Sequence, residues 1–296
     1  MLPSPDLADW QATEIAWHNN EIVPREVAAP SIASHSLHLG IGVFDGMMAY
    51  RNEEHYYVHE IEAHLERLHH GSHQMQLPFH WSIEELKAGI DALLAEVPPA
   101  TYYIRPIVYR SAPQINVTGS KAIPVDVTIF GVRVPRDNEK SLACQISPYQ
   151  RISSRAVPVS WKICGSYVNS YLVRLAAEAQ GFNDGIMLDQ EGRIAEASAA
   201  NLFLLKHEAL VTPKLTSDIF PGITRKVLLR LAQNLGIETI EREIFPEELS
   251  HFEGAFLAST LMEMKPLHQI GHFQYKSSNH LLFRRLLQAF QEITHQ

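Results

Sequence analysis

Hydrophobic and polar positions recur along this chain with two different periods. Between about 59 and 75, Ile61, Leu65, Leu68 and Met75 keep the spacing that lines one face of a helix. A second helical pattern begins at Ser82 and continues through Ile83, Leu86, Ile90, Leu93 and Leu94. Glu85 stands three residues after Ser82, the spacing of a capping box. Residues 56–58, 101–109 and about 125–134 read as strands. In the second half, helices are predicted at about 166–180 and 222–235, closed by Gly181 and Gly236 just past their ends. Short strands with turns at Glu191-Gly192 and around His207-Glu208 lie between them. A strand at 254–259 precedes a final amphipathic helix from about 279. Residues 157–161 read as a strand with Lys162 at its end, ahead of a helix starting near Gly165.

Strands and helices mix without a regular alternation, which predicts an α+β fold rather than a doubly wound sheet. The polar run Pro135-Arg136-Asp137-Asn138-Glu139-Lys140 has no periodicity and marks a linker. The division that follows is a small N-terminal α/β domain over 1–133, a connecting loop over 134–141 and a larger C-terminal domain over 142–296, which carries Lys162 and Glu196. A length of 296 residues agrees with two domains.

Composition narrows the function classes. The formal net charge is −8 with Lys and Arg scattered, so nucleic acid is not an expected partner. An anionic ligand needs local basic groups and backbone amides to overcome that field. Cys144 and Cys164 make no disulfide framework and suit a reducing cytosol. The start Met1-Leu2-Pro3-Ser4-Pro5-Asp6 lacks the basic and apolar regions of a signal peptide. No apolar run approaches the roughly 18 residues of a membrane span, so a cytoplasmic protein is expected.

Three handles stand out in order along the chain. Lys162, desolvated at a strand end, would have a lowered pKa and form a Schiff base with an aldehyde. On spacing alone, a surface lysine at a strand edge is the commoner case. Glu196 returns from a hairpin and is followed by Ala197-Ser198-Ala199-Ala200, small residues that let a flat ligand approach. A carboxylate there can keep a pyridine nitrogen protonated. Pro221-Gly222-Ile223-Thr224 opens a helix whose free amides favour a phosphate, and Arg67 offers a charged grip. Together they describe a site for pyridoxal phosphate (PLP). His69 and His73 share a helix face, but no zinc-binding pattern accompanies them and no metal is expected.

The chain resembles the class IV PLP-dependent aminotransferases, most closely the branched-chain amino acid aminotransferases. The resemblance runs through Ser34-His35-Ser36-Leu37-His38-Leu39-Gly40-Ile41-Gly42-Val43-Phe44-Asp45-Gly46, His64-Leu65-Glu66-Arg67-Leu68 and Tyr103-Ile104-Arg105-Pro106. It continues through Lys162 with Gly165-Ser166-Tyr167, Glu196 with Asn201-Leu202-Phe203, Pro221-Gly222-Ile223-Thr224-Arg225 and Ser259-Thr260-Leu261-Met262-Glu263. It implies PLP fold type IV, and transamination between a branched-chain L-amino acid and 2-oxoglutarate. Lys162 is then the Schiff-base lysine, Glu196 the partner of the pyridine nitrogen and Tyr167 the donor to the ring 3-oxygen. Arg67, Ile223, Thr224 and Thr260 hold the phosphate, and the Thr260 and Leu261 amides receive the substrate carboxylate. Phe44, Tyr103 and Arg105 lie on the substrate side. The resemblance also implies a homodimer or higher homo-oligomer. Leu39, Asp45, Ile163-Cys164 and Ser259 depart from the family pattern. They leave open a D-amino acid or amine transaminase, or an aminodeoxychorismate lyase, of the same fold. A PLP-binding scaffold without turnover is the reading from outside the enzymes.

Overall fold

The capping box at Ser82 forms. Its hydroxyl accepts the Glu85 amide at 3.1 Å, and the Glu85 carboxylate accepts the Ser82 amide at 2.7 Å. In this computed structural model, which describes residues 11–52, 55–134, 141–215 and 218–294, the box starts one of two helices packed on an antiparallel sheet. The chain start, read for a signal peptide, and the expected linker from Pro135 to Lys140 lie outside the described residues. The described residues form two compact units. One comprises residues up to 134 with Ser160–Ser166, the other residues 141–159 and 167–294.

The first unit contains β1 (Ile15–His18), β2 (Glu21–Pro24), α1 (His35–Leu39), β3 (Gly42–Phe44), β4 (Met47–Asn52) and β5 (His55–Val58). It continues with α2 (Ile61–Gln74), α3 (Ile83–Glu96), β6 (Tyr102–Tyr109) and β7 (Asp126–Arg133). Among the described residues its sheet has seven strands in the order β2-β1-β7-β6-β4-β5, with β3 on β6. Leu65, Leu68, Leu86, Ile90 and Leu93 face Val43, Met47, Ile104, Val127 and Ile129 in one core. Each fully buried side chain of this kind contributes roughly 1.5–3 kcal/mol. β3 and most of β4 are buried without alternation, so their apolar run has no period of two to betray a strand.

The second unit holds β8 (Leu142–Ile146), α4 (Tyr167–Ala179), β9 (Asp184–Leu188), β10 (Ile194–Ala197), β11 (Asn201–Lys206) and β12 (Ala209–Pro213). Then come α5 (Ile223–Asn234), β13 (Glu238–Arg242), β14 (Gly254–Ser259), β15 (Glu263–Ile270), β16 (Phe273–Gln274) and α6 (Leu281–Thr294). Nine described strands run β10-β9-β8-β15-β14-β11-β12-β13, with β16 on β15. β8 is parallel to β9 and β15, and β12 to β13, while the other pairs are antiparallel. This mixture is α+β. Both predicted helix stops form: Gly181 and Gly236 have φ of 80° and 69°, and the following amides reach back to Ala177 O and Ala232 O at 3.0 and 2.9 Å.

The strand expected at 157–161 is absent. Pro158 has no N–H for a ladder, and Val159–Trp161 forms a turn of 3-10 helix instead. Lys162 therefore sits in a tight turn with φ of 52°, not at a strand end. The segment Ser160–Ser166, drawn from the C-terminal half of the sequence, groups with the N-terminal residues. Ile163 bridges Val43, Phe44 N–H donates to Lys162 O at 3.3 Å, and Gly165 N–H donates to Gly40 O at 3.1 Å.

Candidate active site

Lys162 occupies the left-handed region, a conformation that costs a non-glycine residue about 1–3 kcal/mol and tends to mark functional positions. Its Nζ lies 5.0 Å from the centre of the Phe44 ring. The Arg105 guanidinium lies 4.6 Å from the same ring and 5.2 Å from that of Tyr103, and its Nη2 donates to Tyr103 Oη at 3.3 Å. Burial, reinforced by the positive charge of Arg67 and opposed by Asp45, pushes the Lys162 amine down to about 8. An amine so lowered is partly neutral near physiological pH, as a nucleophile for a carbonyl must be. The first unit thus brings together Lys162, Arg67, Phe44, Tyr103 and Arg105.

Arg67 is fixed by Asp45, which stands out in the sequence only as a departure from the family pattern. Its Nε donates to Asp45 Oδ2 at 2.7 Å and its Nη2 to Asp45 Oδ1 at 2.8 Å, while His64 Nδ1 lies 2.7 Å from the same Oδ1. Asp45 is fully buried and His64 nearly so. Burial opposes the Asp45 charge, but Arg67 and His64 outweigh it and hold the carboxyl well below the usual range. Burial also lowers the His64 pKa, against the pull of Asp45, so its ring is neutral at pH 7. Arg67, Arg105 and Lys162 thus lie close to one another and to Asp45, a gathering of positive groups suited to an anionic ligand. The signal was present as Asp45 and as the His64–Arg67 spacing, but their meeting across a strand and a helix is tertiary.

In the second unit Glu196 is 4% exposed and held from three sides. Its Oε1 lies 2.8 Å from Arg151 Nε and accepts the Phe220 amide at 3.0 Å, and its Oε2 accepts Asn201 Nδ2 at 3.0 Å. Asn201 also donates to Phe220 O at 2.9 Å, which ties Glu196 to the segment entering α5. A Cβ on Gly222 would collide with Asn201 Oδ1, so glycine is needed there. Gly222 caps α5 without a side-chain acceptor, and Ile223 and Thr224 are its first residues. Arg151 carried no sequence signal, because its partner lies far along the chain.

Thr260 and Leu261 form the turn between β14 and β15, where Ser259 Oγ accepts the Met262 amide at 3.2 Å. Asn201 pairs with Ala258 across β11 and β14, so this turn stands at the same end of the sheet as Asn201. Tyr167 opens α4, directly after the Lys162 segment in sequence. Leu39 lines a cleft beside Arg110. His69 Nε2 donates to Trp81 O at 2.6 Å, and its ring packs edge-on against Phe79. Among the described residues no group of three or more His, Cys, Asp or Glu gathers as a metal site, and no helix is long and apolar enough to cross a membrane.

In the first unit the lowered lysine amine and the neighbouring cations suit a phosphorylated aldehyde, and in the second the Glu196 carboxylate, held by two donors and the Arg151 cation, suits a pyridinium. Among the described residues no hydrogen-bond partner meets the buried Ser166 Oγ, four residues beyond Lys162. The chain matches the family described as amino-transferase class IV over residues 42–270, and it belongs to that family. It is similar to the branched-chain-amino-acid aminotransferase of Escherichia coli strain K12, 31% identical over 263 residues that cover 87% of this chain and 85% of the relative. It is also similar to the solved branched-chain aminotransferase of Thermoproteus uzoniensis with norvaline. There the identity is 30%, the match covers 95% of this chain and 94% of that one, and the TM-score is 0.90. The enzyme of that type from Thermobaculum terrenum in its PLP form matches with 27% identity, the same coverage of 95% and 94%, and a TM-score of 0.88. The fold is therefore the type IV α+β arrangement that the sequence predicted.

Proposed function

We propose that this chain moves an amino group between a branched-chain L-amino acid and 2-oxoglutarate, with PLP bound at Lys162. The observation that carries this reading is the Lys162 amine, held in a strained turn and pushed down to about 8 beside Arg67. The names of the relatives support the substrate class. When bound, PLP supplies an aldehyde for a reversible C=N bond and a ring that draws electron density from the substrate Cα.

The chain's own residues do the rest. Lys162 Nζ would hold the cofactor through its aldehyde and, as a free amine, would take up and return a proton at the substrate Cα. Glu196, oriented by Arg151, Asn201 and the Phe220 amide, keeps a proton on the ring nitrogen. Tyr167 donates to the ring 3-oxygen. Arg67, fixed by Asp45, shares the phosphate with the Ile223 and Thr224 amides and Thr260. The Thr260 and Leu261 amides receive the substrate carboxylate, neutralising it without a mobile charge in a dry pocket. Phe44, Tyr103 and Arg105 face the substrate and exclude water. On the family resemblance the protein is further read as a cytoplasmic homo-oligomer, and sedimentation at micromolar concentration checks the assembly.

The half-reaction tests the proposal. Leucine, isoleucine or valine should abolish the visible absorbance of the PLP-loaded enzyme, and 2-oxoglutarate should restore it. Turnover with another amine but none with these three would sink the substrate class and leave the family chemistry intact.

A further inference from the structure

His64, Arg67 and Gly71 follow one another along α2 at spacings of three and four, so they share one face of the helix. Gly71 stands one turn beyond Arg67, about 6 Å along the axis. Glycine is the poorest helix former after proline, so its place inside α2 has a reason other than propensity. A Cβ on Gly71 would overlap the carbonyl oxygen of Trp161 and come within 2.9 Å of Val43 Cγ1. The missing side chain lets another stretch of backbone rest directly on the helix.

That carbonyl belongs to the planar peptide joining Trp161 to Lys162, so it cannot retreat without turning the Lys162 backbone. From the other side β3 holds the same turn: Phe44 N–H donates to Lys162 O at 3.3 Å, and Ile163 bridges Val43. The lysine turn is thus caught between β3 and α2, the helix that also carries Arg67. Gly89 of α3 differs, because a Cβ there would meet the ring of Trp17, a core side chain, at 2.6 Å.

We propose that Gly71 is a positioning residue for cofactor capture. By letting the Trp161–Lys162 peptide rest on α2, it sets the span between Lys162 Nζ and Arg67. The amine then reaches the aldehyde carbon of PLP while the phosphate stays on the guanidinium. These roles of Lys162 and Arg67 are those proposed above, and that of Gly71 rests on them. Capture joins the lysine nitrogen to the aldehyde carbon and releases the aldehyde oxygen, with two amine hydrogens, as water. It depends on the span, whereas the grip of Arg67 on the phosphate does not.

PLP and pyridoxamine 5′-phosphate separate the two contributions, because the second has the same ring and phosphate but an amine in place of the aldehyde. The affinity of the full chain for each is measured by fluorescence, and borohydride reduction with mass spectrometry counts the PLP linked to Lys162. Gly71→Ala should weaken PLP binding by about tenfold or more and lower the linked fraction, with pyridoxamine phosphate within about twofold of the parent chain. Gly89→Ala should change stability and leave the ratio of the two affinities as it was. If Gly71→Ala does not fold, its combination with Val43→Ala is compared with Val43→Ala alone. Removing Val43 Cγ1 frees one side of the added methyl and keeps its overlap with Trp161. Comparable loss of both ligands, or no loss of PLP, would overturn the role of Gly71. A parent chain that links no PLP at Lys162 would instead sink the reading of Lys162, and the role of Gly71 with it.

Discussion

At the residue scale, Lys162 and Asp45 set the chemistry in opposite directions. Burial and Arg67 lower the lysine, so its neutral form is populated well below the range of a free amine. The rate at which cofactor-free protein captures PLP should rise with pH through a midpoint of about 8. A midpoint near the free-lysine value of about 10.4 would show an ordinary amine. Asp45 holds two nitrogens of Arg67 from a fully buried position. Asp45→Asn keeps the shape and removes the charge, leaving the guanidinium without its counter-ion. It should cost about 3–5 kcal/mol in urea unfolding and weaken PLP affinity, measured by fluorescence, while Asp45→Glu restores much of both. Equal affinity in Asp45→Asn would mean that Arg67 needs no such anchor.

At the element scale, two glycines with different surroundings separate stability from site geometry. Gly181 closes α4 with φ of 80° and has open space around it, so Gly181→Ala costs about 1 kcal/mol of backbone strain and nothing at the site. Gly222 lies against Asn201 Oδ1, and a methyl there displaces the amide that holds Glu196. Gly222→Ala should therefore weaken PLP affinity well beyond its stability cost, and equal effects of the two variants on affinity would refute the coupling. Elements with a clear period or cap were legible: the Ser82 capping box, the strand at 254–259 and the glycine stops of α4 and α5 stand where the pattern puts them. Strands buried on both faces, such as β3 and β4, have no alternation to read. Residues 157–161 have strand-like composition, but Pro158 and the turn at Lys162 override it.

At the scale of the whole molecule, the described carboxylates favour stability above acid pH. Burial opposes ionisation of Asp45 but its cationic partners lower it, and hydrogen-bonded partners lower Glu62, Glu85, Glu243, Glu248 and Glu253. A folded-state pKa below the unfolded value adds stability above the unfolded pKa of about 4, and that stability is lost as pH falls further. Buried neutral His64 acts in the same direction below about pH 6.5, while Asp184, raised by burial, acts in the opposite one. The urea midpoint should therefore fall from pH 7 to pH 3, and a flat profile would contradict the balance of these shifts. The sequence by itself determined the family and the α+β class and nominated Lys162, Glu196 and Arg67 as site residues, because local periodicity and ordered motifs survive in one dimension. Only the tertiary structure decided that Lys162 lies in a left-handed turn against β3, that Asp45 and His64 fix Arg67, and that Arg151 meets Glu196. Each of those depends on side chains far apart in sequence sharing a low-dielectric space, where distance and burial, rather than order along the chain, set the charge.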